Sequence, residues 1–566
     1  MKHAVHSISK VFTLFLLTLL VYANGFAQPV LKWQRTIGGN NDDLFSCMNF
    51  TKDGGLIAGG YSFSNKSGEK TQDAKGQADY WIVKLDSSGK VQWNKTIGGN
   101  FSDWLTVVKQ TKDGGYILGG YSWSLKSGDK TENPRGNYDE DLYPDYWVVK
   151  LDSQANIEWD KTIGGNNYDA LTALEQTKDG GYILGGYSNS GAGCEKSASA
   201  HREYFNEPHN DYWIVKLDRK GNIEWDKTMG GVWRDWLTCL QQTNDGGYIL
   251  GGYSESDSGY EKTQNSRGYG DYWIVKVDNA GKIQWDKTIG GDDEDDLYSL
   301  EQTSDGGYVL GGTSTSGKSG EKTQKNRGET DYWVVKLNKS GAIQWDKTIG
   351  GNDFDDCRSI QQTCDGGYIT GGSSASNISG EKTENNRGVA GPYGFYDDYW
   401  VVKLNKSGRV EWDKTIGGDV CDICKSVKEI SKNHYVAGGY SSSDISGDKT
   451  QKSRGAADYW LVKLVYKKPL FADVKGYNEG TIVTEKSDQH NFIVYPNPVK
   501  DVLRIEGLSK ESIAIISIVN MQGKVVLQTT TLNSTCPLNV TQLVTGTYFV
   551  KINQGQKTHV AKVVKE

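Results

Sequence analysis

The sequence predicts an all-β protein, a seven-bladed β-propeller of four-stranded antiparallel blades followed by a small C-terminal β-sandwich. One unit recurs seven times along the 566 residues, and such self-similarity is typical of repeat architectures. The 70 glycines, 18 tryptophans and 32 tyrosines favour turns and aromatic strands. The Asp-Tyr-Trp element of the unit begins at Asp79, Asp145, Asp211, Asp271, Asp331, Asp398 and Asp458.

The N-terminal residues 1–27 have the pattern of a secretory signal peptide. Lys2 and Lys10 precede an apolar segment from Val11 to Ala23, and small residues lead to a predicted cleavage site after Ala27. A membrane anchor would need about 20 apolar residues, more than this segment offers. The predicted domains are therefore the signal peptide (1–27), the propeller (28–464), a linker (465–491) and a C-terminal domain (492–566).

One unit, Asp295 to Gly351, illustrates the predicted blade. Alternating strand and turn signals predict four strands, at Leu297–Thr303, Tyr308–Thr313, Tyr332–Leu337 and Ile343–Ile349. The third strand carries bulky residues on both faces, whereas a half-exposed strand would alternate with polar residues. Burial on both faces is expected when each sheet is sandwiched between two neighbours, as propeller blades are.

The two ends of the repeat array are offset by one strand. The array opens with a lone strand, Leu31–Ile37, and its last unit has only three strands and stops at Leu464. Pairing of the first strand with the last unit would remove an open sheet edge and close a ring. A linear solenoid is the alternative, but it would need capping segments that the sequence lacks.

Charge and cysteine content limit the partners and the covalent links. The net charge of −7 argues against nucleic acid or anionic membranes as partners, because both select clustered Lys and Arg. Eight cysteines would enter an oxidising compartment, where disulfides persist. If a disulfide forms, the candidate pair is Cys357 with Cys421 or Cys424.

After the linker, alternating strand patterns predict the C-terminal β-sandwich. A Tyr-Pro-Asn-Pro opening, a central Gly-Lys-Val-Val and a Gly-Thr-Tyr before a lysine-ended tail occur in this order. The segment resembles the type A C-terminal sorting domain of the type IX secretion system of Bacteroidetes. The repeats, with Asp-Gly-Gly-Tyr-Ile-Leu-Gly-Gly and Asp-Tyr-Trp-Ile-Val-Lys-Leu-Asp elements, resemble those of secreted bacterial propellers.

The resemblance implies export across the outer membrane by the type IX machinery, followed by removal of the domain and surface attachment or release. It also implies an extracellular or outer-surface location. Because no stretch after the signal peptide is apolar enough to span a membrane, we expect no transmembrane segment in the mature chain. The positions that carry the sorting-domain pattern are Tyr495, Pro496, Asn497, Pro498, Gly523, Gly546, Tyr548 and Lys562.

Each unit also keeps an aspartate four positions after its second Gly-Gly glycine: Asp43, Asp103, Asp169, Asp235, Asp295, Asp355 and Asp422. A residue kept in every blade is expected to hold backbone amides at a turn rather than to perform one chemical step. No cofactor is therefore predicted. Calcium is the alternative, because it selects clustered oxygen ligands, and its candidate ligands are Asp292, Asp293, Asp295, Asp353 and Asp355.

Specific function is expected where the repeat is broken. Three loops between second and third strands are longer and aromatic, and nearby interblade loops add tryptophans, so that aromatic rings and carboxylates suited to sugar stacking or protein contact gather on one face. These candidate ligand-binding residues are Tyr138, Tyr143, Tyr204, Phe205, Tyr393, Phe395, Tyr396, Trp104, Trp233 and Trp236. Packing of long loops on the rim would explain them as well.

The sequence predicts a secreted or surface-displayed binding module whose ligand is a glycan or a protein. No catalytic residue is predicted, because no nucleophile or zinc-protease motif occurs. An extracellular polysaccharide-degrading enzyme stays open, since a glycosidase needs only two suitably spaced carboxylates. A structural surface component is the third alternative.

Overall fold

A computed structural model describes residues 28–136, 142–201, 209–388, 396–467, 493–509, 512–520, 525–554 and 557–566. The predicted signal peptide and most of the predicted linker lie outside these ranges. The chain divides between Lys467 and Lys468 into two compact units. The described residues form strands and turns, and they include no helix that could cross a membrane.

The first unit is a ring of seven four-stranded antiparallel sheets, which confirms the predicted propeller. Blades 1 and 2 contain β2 (Asp43–Phe50), β3 (Leu56–Ser62), β4 (Asp79–Leu85), β5 (Val91–Ile97), β6 (Asp103–Gln110), β7 (Tyr116–Ser122), β8 (Asp145–Leu151) and β9 (Ile157–Ile163). Blades 3 and 4 contain β10 (Asp169–Gln176), β11 (Tyr182–Ser188), β12 (Asp211–Leu217), β13 (Ile223–Met229), β14 (Asp235–Gln242), β15 (Tyr248–Ser254), β16 (Asp271–Val277) and β17 (Ile283–Ile289). Blades 5 and 6 contain β18 (Asp295–Gln302), β19 (Tyr308–Ser314), β20 (Asp331–Leu337), β21 (Ile343–Ile349), β22 (Asp355–Gln362), β23 (Tyr368–Ser374), β24 (Asp398–Leu404) and β25 (Val410–Ile416). Blade 7 contains β26 (Asp422–Ser431), β27 (His434–Ser441), β28 (Asp458–Val465) and β1 (Val30–Ile37).

The N-terminal strand closes the ring as the sequence predicts. β1 pairs antiparallel with β28, from Val30 opposite Val465 to Ile37 opposite Tyr459. The last blade is therefore completed by the first strand of the chain, and β28 is not left with an open edge. The third strands are buried on both faces, as the double-sided apolar pattern predicts.

Apolar cores lie between neighbouring blades, and a ring of identical contacts links each third strand to the next. The Asp-Tyr-Trp tyrosine hydroxyl of each blade donates a hydrogen bond of 2.9–3.0 Å to the carbonyl of the tryptophan in the following blade. The two rings also pack with centroids 4.6–5.0 Å apart. The seventh link, from Tyr459 to Trp81, crosses the seam. All seven contacts are buried, so each is shielded from water.

The second glycine of the strand-two Gly-Gly pair makes room for this tyrosine. A Cβ at Gly120 would lie 2.7 Å from the Tyr80 hydroxyl and 2.0 Å from the Trp104 carbonyl oxygen. Both distances are shorter than any side chain tolerates, so glycine is required here for space rather than for backbone conformation.

A second ring of interblade contacts lies on the face that carries the loops between second and third strands. Each blade has an acidic residue in its Ser-Gly-(Glu/Asp)-Lys-Thr loop, or in the counterpart of that loop in blades 3 and 4. This residue pairs with a basic residue of the preceding blade. Six of the basic residues are Arg or Lys, and the seventh is His201. The His201 ring lies 2.8 Å from Asp211, 3.4 Å from Glu261 and stacks on Tyr260.

The cysteines are free, so no disulfide contributes to the fold. Cys357 and Cys424 are buried in different interblade cores. The Cys357 thiol lies 3.2 Å from the Thr370 hydroxyl, and burial raises its pKa to about 11. These thiols act as small apolar groups in the cores, and the candidate pairing with Cys421 or Cys424 does not form.

The second unit is a β-sandwich, as predicted. Its strands are β29 (Ile493–Tyr495), β30 (Val502–Glu506), β31 (Ala514–Asn520), β32 (Val525–Thr531), β33 (Thr535–Asn539), β34 (Gly546–Gln554) and β35 (Lys557–Lys565). They form a three-stranded sheet, β29-β30-β33, and a four-stranded sheet, β32-β31-β34-β35. Residues of both sheets share one apolar core, which includes Leu503, Ile516 and Val550.

We expect Tyr459→Phe to lower the melting temperature of the propeller, because it removes the buried hydrogen bond to the carbonyl of Trp81. The loss corresponds to about 0.5–1.5 kcal/mol of unfolding free energy. Differential scanning calorimetry of the variant and of Tyr269→Phe, an exposed control, checks this. Equal melting of Tyr459→Phe and the wild type would contradict a closing role for the seam contact.

We expect His201→Arg to change the pH dependence of stability. Burial acts to lower the pKa of His201, but Asp211 and Glu261 outweigh it, so the pKa is raised above the ordinary 6.5. The stabilisation by the charged ring is full below pH 6.5 and is lost as pH rises through the folded-state pKa.

The wild type should therefore lose up to about 1 kcal/mol relative to His201→Arg between pH 6 and pH 9. Melting curves across that range measure the difference, and His434→Arg provides a control at a histidine outside this ring of contacts. A constant difference between His201→Arg and wild type at all pH values would refute the assignment.

Candidate binding site at the channel mouth

A cavity of about 290 Å³ lies on the ring axis. Its lining includes residues from the first strands of all seven blades, which shows that these strands surround the central channel. The channel is the one place in the described propeller where side chains from every blade meet. It therefore brings together positions that are far apart in sequence.

One level of the channel is formed by the seventh residue of each first strand. These residues, the channel ring, are Asn49, Lys109, Glu175, Gln241, Glu301, Gln361 and Lys428. Each contacts the next blade: the Lys109 ammonium lies 3.0 Å from Glu175, and Glu301 accepts a 2.7 Å hydrogen bond from the Gln362 backbone N–H. The chemical types differ between blades, yet the links continue around the circle.

The aspartates kept in every unit lie under the loop face as part of the scaffold. Each accepts a hydrogen bond of 2.6–2.8 Å from the backbone N–H of the second Thr-Ile-Gly-Gly-type glycine. Each also accepts one from a serine hydroxyl of the same blade. This geometry matches the turn-holding role that repetition predicts. Burial raises the pKa of Asp103 and of Asp355 to about 6.

The lysine of the Ser-Gly-(Glu/Asp)-Lys-Thr loop is a buried part of the same scaffold. Lys70 is 2% exposed, near Asp43 and Asp79, and its ammonium lies 5.5 Å from the centre of the Trp81 ring. Burial lowers the pKa of Lys70 to about 8, while the two aspartates act in the opposite sense. The loop motif therefore serves the fold.

Above the cavity, partly buried aromatic and cationic side chains form a belt around the channel mouth. We call this set the mouth belt. Its members come from the first and second strands of the blades and from one interblade loop, and all are half-buried. They are Tyr61, Trp104, Tyr121, Tyr168, Tyr187, Trp236, Tyr253, Tyr298, Arg358, Lys425 and Tyr440.

The aromatic half of the mouth belt spans blades 1 to 4. Trp104 stacks on Tyr61 with centroids 5.1 Å apart and lies 5.7 Å from Tyr121. The series continues from Tyr121 to Tyr168 (6.3 Å) and from Tyr168 to Tyr187 (6.1 Å, parallel). In blade 4, Trp236 packs on Tyr253 at 4.8 Å. These contacts hold the rings in fixed positions.

The charged half lies on blades 5 to 7. The Tyr298 hydroxyl donates a 3.0 Å hydrogen bond to Asp296, and the Arg358 guanidinium lies 3.9 Å from the centre of the Tyr298 ring. Arg358 is 3.7 Å from Asp356, and the Lys425 ammonium lies 5.8 Å from the centre of the Tyr440 ring. Arg358 and Lys425 also line the cavity, so the mouth belt and the cavity are continuous.

Burial shapes the ionisation of this half. It raises the pKa of Asp296 to about 6, although the Tyr298 hydrogen bond acts against the shift. It raises the pKa of nearby Asp397 to about 6, helped by Asp356, and lowers the pKa of Lys425 to about 8. The shift of Asp296 is similar to that of the scaffold aspartate Asp103, so it reflects burial and does not single out a catalytic acid.

Of the predicted ligand-binding residues, the structure brings Trp104 and Trp236 into the mouth belt. Trp233 lies apart from it, 42% exposed, with its ring 5.2 Å from His209. Tyr143 and Tyr396 are half-buried in their loops. The other candidates, Tyr138, Tyr204, Phe205, Tyr393 and Phe395, lie outside the described residues.

The predicted calcium ligands lie on two interblade loops and are occupied by loop contacts. Asp292 accepts from the Ser319 hydroxyl, and Asp293 accepts from the backbone N–H of Glu294. Asp353 accepts from the backbone N–H of Phe354, while Asp295 and Asp355 are scaffold aspartates. Among the described residues, no group of three or more His, Cys, Asp or Glu side chains is placed to hold a metal ion.

Most of the mouth belt is missing from the sequence-based candidates, although the sequence contains a signal for it. The second residue of the first strand varies more than its neighbours: Leu44, Trp104, Ala170, Trp236, Asp296, Asp356 and Ile423. The fourth residue varies likewise, with Tyr298, Arg358 and Lys425 replacing small hydroxyl residues. Comparing the units position by position would have located the first-strand members of the mouth belt.

The C-terminal positions that carry the sorting pattern lie in the sandwich. Asn497 pairs with the backbone of β35 through the Lys562 carbonyl (3.0 Å) and the Val564 N–H (2.8 Å). Tyr548 is buried, Gly546 begins β34, and Tyr495 donates to Glu506. Pro496 and Pro498 are exposed, and Gly523 lies outside the described residues.

Comparison with solved structures gives propeller-containing proteins at low sequence identity. PorZ of Porphyromonas gingivalis, described as an essential bacterial surface component of the type IX secretion system, has 12% identity and a TM-score of 0.40, with 94% of this chain and 60% of PorZ covered. The chain thus spans about 60% of the length of PorZ. Sqt1 of Chaetomium thermophilum has 11% identity, a TM-score of 0.38 and coverage of 78% and 100%. The Pan2 WD40 domain of Neurospora crassa has 11% identity, a TM-score of 0.37 and coverage of 77% and 97%.

Among curated protein sequences, none matches the chain significantly. One family model does match, the secretion system C-terminal sorting domain, over residues 493–566. These residues are the β-sandwich described above. The chain therefore carries a C-terminal sorting domain of the type IX secretion system and is a secreted or cell-surface propeller protein.

Proposed function

We propose that the propeller is a glycan-binding module and that the mouth belt is its binding surface. The observation that carries the proposal is the continuous set of aromatic rings from Tyr61 on blade 1 to Tyr187 on blade 3, held by ring-to-ring contacts. Sugar rings present flat C–H faces that pack well on aromatic faces, and a rigid platform loses little conformational entropy on binding.

The charged half supplies the polar groups that a saccharide needs. Asp296, Asp356 and Arg358 lie at the mouth, where they can exchange hydrogen bonds with sugar hydroxyls. A site that combines apolar walls with a few fixed polar groups is typical of small-molecule recognition.

The polysaccharide-degrading alternative has weaker support. A glycosidase needs a carboxylic acid with a raised pKa opposite a second carboxylate. Asp296 and Asp397 have raised pKa values, but burial does the same to the scaffold aspartates. The raised values therefore do not distinguish a catalytic pair.

We expect Tyr168→Ala to weaken glycan binding about tenfold, because it removes a stacking ring from the centre of the platform. A glycan array with the full chain identifies an oligosaccharide, and calorimetric titration then compares the variants. Phe354→Ala is the matched control, because Phe354 has the same repeat position and is 50% exposed, with no described ring contact to the belt.

The glycan proposal is contradicted if the wild type binds no glycan on the array. It is also contradicted if Tyr168→Ala binds the glycan as well as Phe354→Ala does. Release of reducing sugar from a bound polysaccharide would support the enzyme instead. Thermal melting of both variants verifies that any loss of binding does not come from unfolding.

Deletion of residues 493–566 should retain the protein inside the envelope of a bacterium that carries the type IX machinery, because the sorting domain is the signal that this machinery handles. Immunoblots of envelope, surface and medium fractions measure the location. The intact chain in a strain without the machinery is the control and should behave as the deletion does. Surface display of the deleted chain would show that another segment directs export.

A further inference from the structure

The cavity below the mouth belt is cationic, although the chain as a whole carries a net charge of −7. The side chains that line it include four cations, Lys109, Arg358, Lys425 and Lys428, and two carboxylates, Glu175 and Glu301. Both carboxylates are already hydrogen-bonded within the channel ring. The lining of the cavity therefore carries an excess of positive charge.

The cations of blades 6 and 7 have few partners of their own. Among the described residues, Lys425 forms no hydrogen bond or ion pair, and only its ring contact with Tyr440 is present. Lys428 donates at 3.3 Å to the neutral amide oxygen of Asn49. Arg358 has one carboxylate partner, Asp356, at 3.7 Å. Burying cations without anionic partners costs free energy.

The free-energy cost of burying a cation is reflected in the pKa of Lys425. Burial lowers its pKa to about 8, the Arg358 charge lowers it further, and Asp356 acts in the opposite sense. A guanidinium and an ammonium that approach one another across a cavity are stabilised when an anion lies between them. Arg and Lys donors hold carboxylate and sulfate oxygens by short, charge-assisted hydrogen bonds.

The cavity has room for such a group. A volume of about 290 Å³ is roughly ten times the share of one water molecule in liquid water, about 30 Å³. An oxyanion with part of its hydration shell fits this space. The cavity opens to the mouth belt through Arg358 and Lys425, which belong to both.

We propose that the channel cavity is an oxyanion site, in which Lys425 and Arg358 hold a carboxylate or sulfate group. The source of the group is either an acidic sugar that also contacts the mouth belt or a free inorganic anion. The site stands on the cavity and its cations, and it does not depend on glycan binding. Where the glycan proposal also holds, the ligand is an acidic glycan.

Calorimetric titration of the full chain with sodium sulfate, sodium glucuronate and glucose, at constant ionic strength, tests the site. We expect sulfate and glucuronate to bind and glucose not to bind. Lys425→Met and Arg358→Gln should each weaken anion binding roughly tenfold or more. Lys452→Met removes an exposed lysine, 73% accessible, and should leave binding unchanged.

Binding of glucuronate without sulfate would support the site with the sugar as the source of the anion. Absence of binding by both anions, or equal binding by Lys425→Met and wild type, would overturn the proposal.

Thermal melting keeps the test independent of folding defects. Without added anion, Lys425→Met should melt no lower than wild type, because it removes an uncompensated cation. With sulfate, only the wild type and Lys452→Met should gain stability. A gain of the same size in Lys425→Met would also refute the site, whatever the outcome of the glycan array.

Discussion

The hydrogen bond from each Asp-Tyr-Trp tyrosine to the tryptophan carbonyl of the next blade is the contact on which the ring depends. It fixes the distance between neighbouring third strands, buries both aromatic rings and requires the adjacent glycine that leaves space for the hydroxyl. Seven such links complete a circle only if the last tyrosine reaches the first blade. Tyr459 does so because β1 completes blade 7, and blade 7 then lies beside blade 1.

This requirement accounts for the uniformity of the repeat. The buried aspartates, the buried lysines and the paired loop charges all fix loops to blades or blades to each other, and every blade needs them equally. Buried charges are tolerated here because each has backbone donors or an opposite charge nearby. Groups of reactive type, such as the aspartates and lysines, are consequently used for structure.

In the first strands, the side chains that face the axis differ between blades, because they meet around the channel instead of packing between blades. Here the repeat can vary without loosening the ring, because the channel ring keeps its interblade links with Asn, Lys, Glu or Gln. The variation produces an aromatic half and a charged half. That asymmetry is what a binding site at the mouth requires, and the cationic cavity below it follows from the same variation.

The sequence by itself determined the seven blades, the closure by the N-terminal strand and the sorting domain, because these follow from a period, from strand patterning and from motifs that are local in the chain. It also placed Trp104 and Trp236 among the candidate residues. Only the tertiary structure decided that Tyr61, Tyr168 and Lys425 share one mouth, since residues from different blades meet there after the ring has closed. The physical reason is that strand patterning reports which residues are buried, whereas the partners across the channel depend on the curvature of the whole ring.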